Sequence, residues 1–100
     1  MIRHIVMFRF QESAQGRSRE QNVALAKQKL EALPPVISQI RSFHVQLNCN
    51  FNGVNCDLAL IADYDNLDDL EAYRVHPAHV AVGAFMKETT ELRASVDFEV

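Results

Sequence analysis

Residues 2–10, IRHIVMFRF, alternate with the period of a β-strand. Ile2, His4, Val6, Phe8 and Phe10 fall on one side, and Arg3, Ile5, Met7 and Arg9 on the other. Both sides are apolar at mid-strand. A sheet built on this strand has to be shielded from water on both faces, which constrains the chain more than any other stretch. Residues 56–64 repeat the demand, with Cys56, Leu58, Leu60, Ala62 and Tyr64 on one side and Ala59 and Ile61 on the other.

The remaining pattern supplies the partners. Phe43, Val45, Leu47 and Cys49 alternate with His44, Gln46 and Asn48, a second strand. Asn52-Gly53 tolerates the positive φ of a tight turn, so 42–64 reads as a hairpin. Ala94, Val96, Phe98 and Val100 alternate with Arg93, Ser95, Asp97 and Glu99 as a last strand. Between strands, Ser18 and Gln21 in SREQ form a capping box, and Val23, Ala26, Leu30 and Leu33 follow at helical spacing until Pro34 and Pro35 withdraw the next donors. Asp65 or Asn66 caps a second helix bearing Leu67, Leu70 and Tyr73. It breaks at His76-Pro77, and Val80, Ala81, Ala84 and Phe85 continue it from a proline at the first helical position.

The order is β-α-β-β-α-β, the ferredoxin-like arrangement: an α+β subunit whose four-stranded antiparallel sheet carries its helices on one face. One domain spans 1–100. No element is left to cover the second sheet face, so a second copy packed sheet to sheet about a two-fold axis is expected.

Composition excludes several function classes. With 48% apolar and 23% charged residues the chain is globular, and a formal charge of −3 without a basic run gives no footprint for nucleic acid or anionic lipid. The N-terminal apolar run is short and interrupted by Arg3 and Arg9, so neither a signal segment nor a membrane span is expected, and the cytosol is the expected location. Cys49 and Cys56 make no disulfide framework and read as small buried hydrophobes.

Taken together, the opening IRHIVMFRF, the helix exit LPPV, the segment YRVHPAHV and the closing ELRASVDFEV resemble the stress-responsive dimeric α/β-barrel (Dabb) family over nearly the whole chain. The resemblance implies a ferredoxin-like subunit whose sheet joins its partner's in a dimeric α/β-barrel. The family includes plant stress proteins and plant polyketide cyclases. From the cyclases the resemblance implies a site of His79, Tyr73 and His4 acting on a carbonyl compound in a pocket within each subunit. The cyclases carry a further histidine where this chain has Leu58, which implies a more apolar pocket here. Some members bind a hard cation through backbone carbonyls at the end of helix 1, which would here be those of Leu30, Leu33 and Val36; a helix end stopped by two prolines is expected to leave carbonyls unpaired.

The residues carry chemistry of their own. His79 falls in the first turn after Pro77, where the helix dipole disfavours a second positive charge and keeps the imidazole neutral and basic. Beside it, Tyr73 is a phenol able to hydrogen-bond a developing enolate oxygen. His4 lies on an apolar face and requires a hydrogen-bond partner, whether structural or in a pocket. His76 reads as the helix break, and His44 faces the polar side of its strand. No third ligand stands near His76 and His79 for zinc, no glycine-rich loop suggests a nucleotide, and no organic cofactor is expected. Three roles follow: a cofactor-free acid–base enzyme on a small carbonyl compound, a module binding a small apolar ligand, or a non-catalytic stress-response or structural protein whose value is a stable dimer.

Overall fold

In the computed structural model, which describes residues 1–100, the N-terminal alternation becomes β1 (Ile2–Phe10). A short hairpin follows, β2 (Ser13–Ala14) and β3 (Arg17–Ser18), turning at Gln15 and Gly16 with φ of 55° and 73°. This hairpin has too few residues to show a period in the sequence. Helix α1 (Arg19–Glu31) starts at the Ser18–Gln21 capping box, with both reciprocal hydrogen bonds formed. Asn22 is fully buried on it: its side chain accepts from Arg17 Nε at 2.7 Å and donates to the Ala14 carbonyl at 3.1 Å, pinning the hairpin to the helix.

β4 (Ser42–Leu47) and β5 (Leu58–Tyr64) form the expected antiparallel pair, but residues 48–57 make a longer connection than a tight Asn-Gly turn. There the Asn52 side chain accepts from the amides of Val54 and Asn55, and Gly53 takes φ +88°. Cys49 is exposed and Cys56 intermediate in this loop, which corrects their assignment to the core. The rest is α2 (Leu67–Val75), capped by Asn66, then α3 (Pro77–Thr89) and β6 (Thr90–Glu99).

The sheet order is β4-β5-β1-β6, all antiparallel, giving the α+β ferredoxin-like architecture. The even residues of β1 and β5 are buried, and with Leu30, Leu33, Ile37, Leu70, Tyr73, Val82 and Met86 from the helical side they form the core. Cross-strand partners share a face, so the ladder assigns the outer side to Ile5, Ile61 and Val96, with Met7, Ala59 and Ala94 beside them and Phe98 opposite Arg3. On that side Val96 is 53% exposed and Met7 44%. The two-sided apolar pattern of β1 thus survives as one packed face and one uncovered face.

Candidate active site at the junction of the two C-terminal helices

The broken second helix builds one half of the site. In an unbroken helix the carbonyls of Tyr73 and Arg74 would accept from residues 77 and 78. Pro77 has no N–H, so the Tyr73 carbonyl accepts instead from the His76 amide at 3.2 Å. The Ala78 amide is taken by His76 Nδ1 at 3.1 Å, making His76 the cap of α3. The Arg74 carbonyl, left without its partner, accepts from His79 Nδ1 at 3.0 Å. A carbonyl cannot donate, so the Nδ1 of neutral His79 carries the proton and Nε2 holds the lone pair. A helix break has oriented an imidazole and selected its tautomer.

The other half lies on the sheet. His4, 5% exposed on β1, stands opposite Asp97 on β6, and its Nδ1 is hydrogen-bonded to Asp97 Oδ1. Asp97 is the partner His4 required. The alternation of β6 does not reveal it, because β6 presents its polar residues to the helical side: Arg93, Ser95 and Asp97 pair with Phe8, Val6 and His4 on the inner face of β1.

His4, Tyr73 and His79 line one cavity of about 460 Å³, walled mainly by Val6, Phe8, Leu60, Val82 and Met86. The rings form a continuous cluster. Tyr73 lies 4.4 Å from His79, 6.3 Å from His4 and 5.1 Å from Tyr64, centroid to centroid. Phe43 closes it from β4, 6.3 Å from Tyr73. Leu58 is buried in the core and does not line the cavity. His44 is on the outer face, opposite Ile61.

Burial sets the protonation of these groups. It lowers the His79 pKa below 6.5, opposed by the bond to the Arg74 carbonyl. The direction is the one expected from the helix start, but burial rather than the dipole is the leading cause. Burial also pushes the Tyr73 phenol up to about 12, so it is a neutral donor at pH 7, and pushes Tyr64 higher still, with Tyr73 contributing. Both hydroxyls are enclosed. The two phenols perturb one another, yet neither meets hydrogen-bond geometry with any protein atom. An enclosed hydroxyl without a hydrogen-bond partner costs about 1–3 kcal/mol. The alternation of β5 shows Tyr64 only as a strand residue; the sequence contains no signal that it packs behind Tyr73.

At the end of α1, the Leu30 carbonyl accepts from Leu33 N at 3.0 Å and from the Ala32 amide, and the Leu33 carbonyl accepts from the amides of Val36 and Ile37, both at 3.0 Å. The expectation that the prolines leave the Leu30 and Leu33 carbonyls unpaired is therefore corrected: the last amides before the prolines serve Leu30, and the first amides after them turn back to Leu33. No group of three or more His, Cys, Asp or Glu side chains is arranged to hold a metal ion. No helix is long and apolar enough to cross a membrane.

Residues 2–100 match the family model described as the stress responsive A/B barrel domain, Dabb. The uncharacterized protein SCO4036 of Streptomyces coelicolor is 32% identical over 88 residues, covering 88% of this chain and 89% of that one. Among solved structures, a dimeric protein of unknown function with a ferredoxin-like fold from Bacteroides fragilis is 40% identical with a TM-score of 0.87, covering 99% of this chain and 95% of that one. A dimeric ferredoxin-like protein of unknown function from Thermobifida fusca is 28% identical with a TM-score of 0.84, covering 99% and 90%.

Proposed function

Since the chain belongs to the stress responsive A/B barrel domain family, we propose that it is a homodimer that binds a small carbonyl compound in the cavity of each subunit and moves a proton on it without an organic cofactor. The observation that carries this is the pair of histidines at one cavity, each with Nδ1 engaged by the protein and Nε2 without a protein partner. An imidazole so fixed is a directed base.

In this scheme His79 Nε2 removes a proton from the carbon next to the carbonyl, and electron density moves onto the carbonyl oxygen. Tyr73, neutral because of its raised pKa, donates to that oxygen as the enolate forms. Its hydroxyl is enclosed beside the His79 ring, 4.4 Å away with the planes 50° apart, so the ligand reaches it on a small shift of the Tyr73 side chain while His79 stays on the Arg74 carbonyl. His4, held by Asp97, offers a second Nε2 that returns or relays the proton. The apolar walls exclude water, which strengthens each of these interactions.

Homodimerisation is supported by the uncovered outer face of the sheet and by the dimeric state of the Bacteroides and Thermobifida proteins. The two subunits would bury Ile5, Ile61 and Val96 against one another.

The test is solvent deuterium exchange at the α-carbon of aryl methyl ketones, followed by proton NMR. Exchange above the buffer rate that is lost in His79→Gln supports the proposal. Exchange no faster than buffer across the panel, or unchanged in His79→Gln, rejects it. A non-catalytic binding role then rests on the same cavity, because the two Nε2 atoms accept hydrogen bonds from a ligand whether or not a proton moves.

A further inference from the structure

The charged rim of the cavity is unbalanced. Lys87, Glu91 and Arg93 all line it. The β1–β6 ladder shifts register between Arg9 and Phe10, so that Phe10 pairs with Thr90 and Arg9 with Leu92, and Glu91 is the residue left over. Its carboxylate is spoken for: Oε1 accepts from Arg9 Nε at 2.8 Å and lies 3.8 Å from Arg19 Nη2. Lys87 and Arg93 take part in none of the ion pairs of the molecule. The side-chain partner of Arg93 is the Ser95 hydroxyl, 3.3 Å from Nη1, which leaves most of the guanidinium fork free.

Two uncompensated cations thus stand at the mouth of one cavity on a chain whose formal charge is −3, against the sign of the molecule as a whole. The positive charge of Arg93 is felt at the reactive end as well, where it favours the ionised form of Tyr73 and the neutral form of His79. Asp97 and Glu99, the acidic side chains on the same face of β6, lie toward the far end of the row; Asp97 is engaged by His4, and Glu99, opposite Ile2, does not line the cavity.

We infer that the ligand is an anion: a small carbonyl compound bearing a carboxylate, which Arg93 grips through its fork and Lys87 attracts as a point charge, while its apolar body lies along Val6, Leu60 and Val82 and its carbonyl end meets His79 and Tyr73. A guanidinium matches a carboxylate by two parallel hydrogen bonds, so Arg93 would also set which end of the ligand enters first. This inference rests on the small-ligand function proposed above and names the chemical class that the cavity selects.

The experiment compares para-acetylbenzoate with its neutral isostere para-acetylbenzamide by titration calorimetry at low salt. Wild type is expected to bind the acid about tenfold or more tighter than the amide, Arg93→Gln to lose most of that preference, and Lys87→Gln to lose part of it and to flatten its salt dependence. Melting curves of both variants are expected to match wild type, since neither side chain contributes to the packed core. Equal affinity for acid and amide in wild type, a preference that survives in the double variant, or no binding of either compound at about 1 mM overturns the inference. Deuterium exchange at the acetyl group separates the two proposals. Exchange of the amide as fast as the acid, lost in His79→Gln, removes the anion site and leaves the acid–base chemistry standing. Preferential binding of the acid without exchange does the reverse.

Discussion

His4 and Asp97 face one another across the β1–β6 ladder, and the imidazole is hydrogen-bonded through Nδ1 to the carboxylate. A carboxylate accepts, so this pair directs the His4 Nε2 lone pair away from the strand, as the Arg74 carbonyl does for His79. Two imidazoles from distant parts of the chain are oriented by the same device, one by a side chain and one by a helix break.

Asp97→Ala is expected to leave the nearly buried His4 Nδ1–H unpaired and to cost about 1–3 kcal/mol in urea unfolding. Nitrogen NMR of the His4 ring is expected to show one tautomer in wild type and a mixture in the variant. An unchanged tautomer would mean that Asp97 does not orient the ring.

Tyr73→Phe should separate stability from function. The lost hydroxyl is enclosed and unpaired, so the fold is expected to be unchanged or more stable, by up to about 1–3 kcal/mol. Deuterium exchange on a bound ketone is expected to fall by about 10²–10³-fold, the usual cost of one oxyanion donor. A destabilised variant would show that the hydroxyl has a protein partner after all.

The pH dependence of stability follows from His79. Its folded pKa lies below 6.5, so between that reference and the folded value the unfolded chain binds more protons than the folded one. Stability from this group is therefore complete above about pH 6.5 and falls as pH drops toward the folded value. His79→Gln is expected to flatten that part of the curve in urea titrations. A histidine NMR titration placing His79 above 6.5 would reverse the sign and remove it as a base at pH 7.

On the outer sheet face, Val96→Lys places a charge opposite Ile5. Wild type is expected to sediment at twice the chain mass and the variant at the chain mass, with helix content unchanged by circular dichroism. A wild-type monomer at micromolar concentration would remove the dimer.

His76→Ala tests the division of labour between the two histidines around Pro77. Losing the cap to the Ala78 amide is expected to cost about 0.5–2 kcal/mol of stability and to leave deuterium exchange within a few-fold of wild type. A loss as large as that of His79→Gln would move His76 into the site.

Much of the fold was legible in the sequence because it depends on local periods and caps. The alternation of Ile2, His4, Val6 and Phe8, the Ser18–Gln21 box and the Pro77 helix start are each written within a few residues, and each appears where those residues place it. The two apolar sides of β1 were legible too, and with them the need for a second layer. What the sequence could not state is which residues of β6 face inward. Periodicity separates Ala94, Val96 and Phe98 from Arg93, Ser95 and Asp97 but assigns neither set a side, and the ladder register turns the polar set to the helical side. That decision belongs to the tertiary structure, because the edge strand borders a cavity rather than packed core on its inner side and an uncovered apolar face on its outer one. From it come the Asp97 partner of His4 and the free Arg93 at the rim. Likewise, Tyr64 behind Tyr73 depends on a contact between β5 and α2 that no local period encodes.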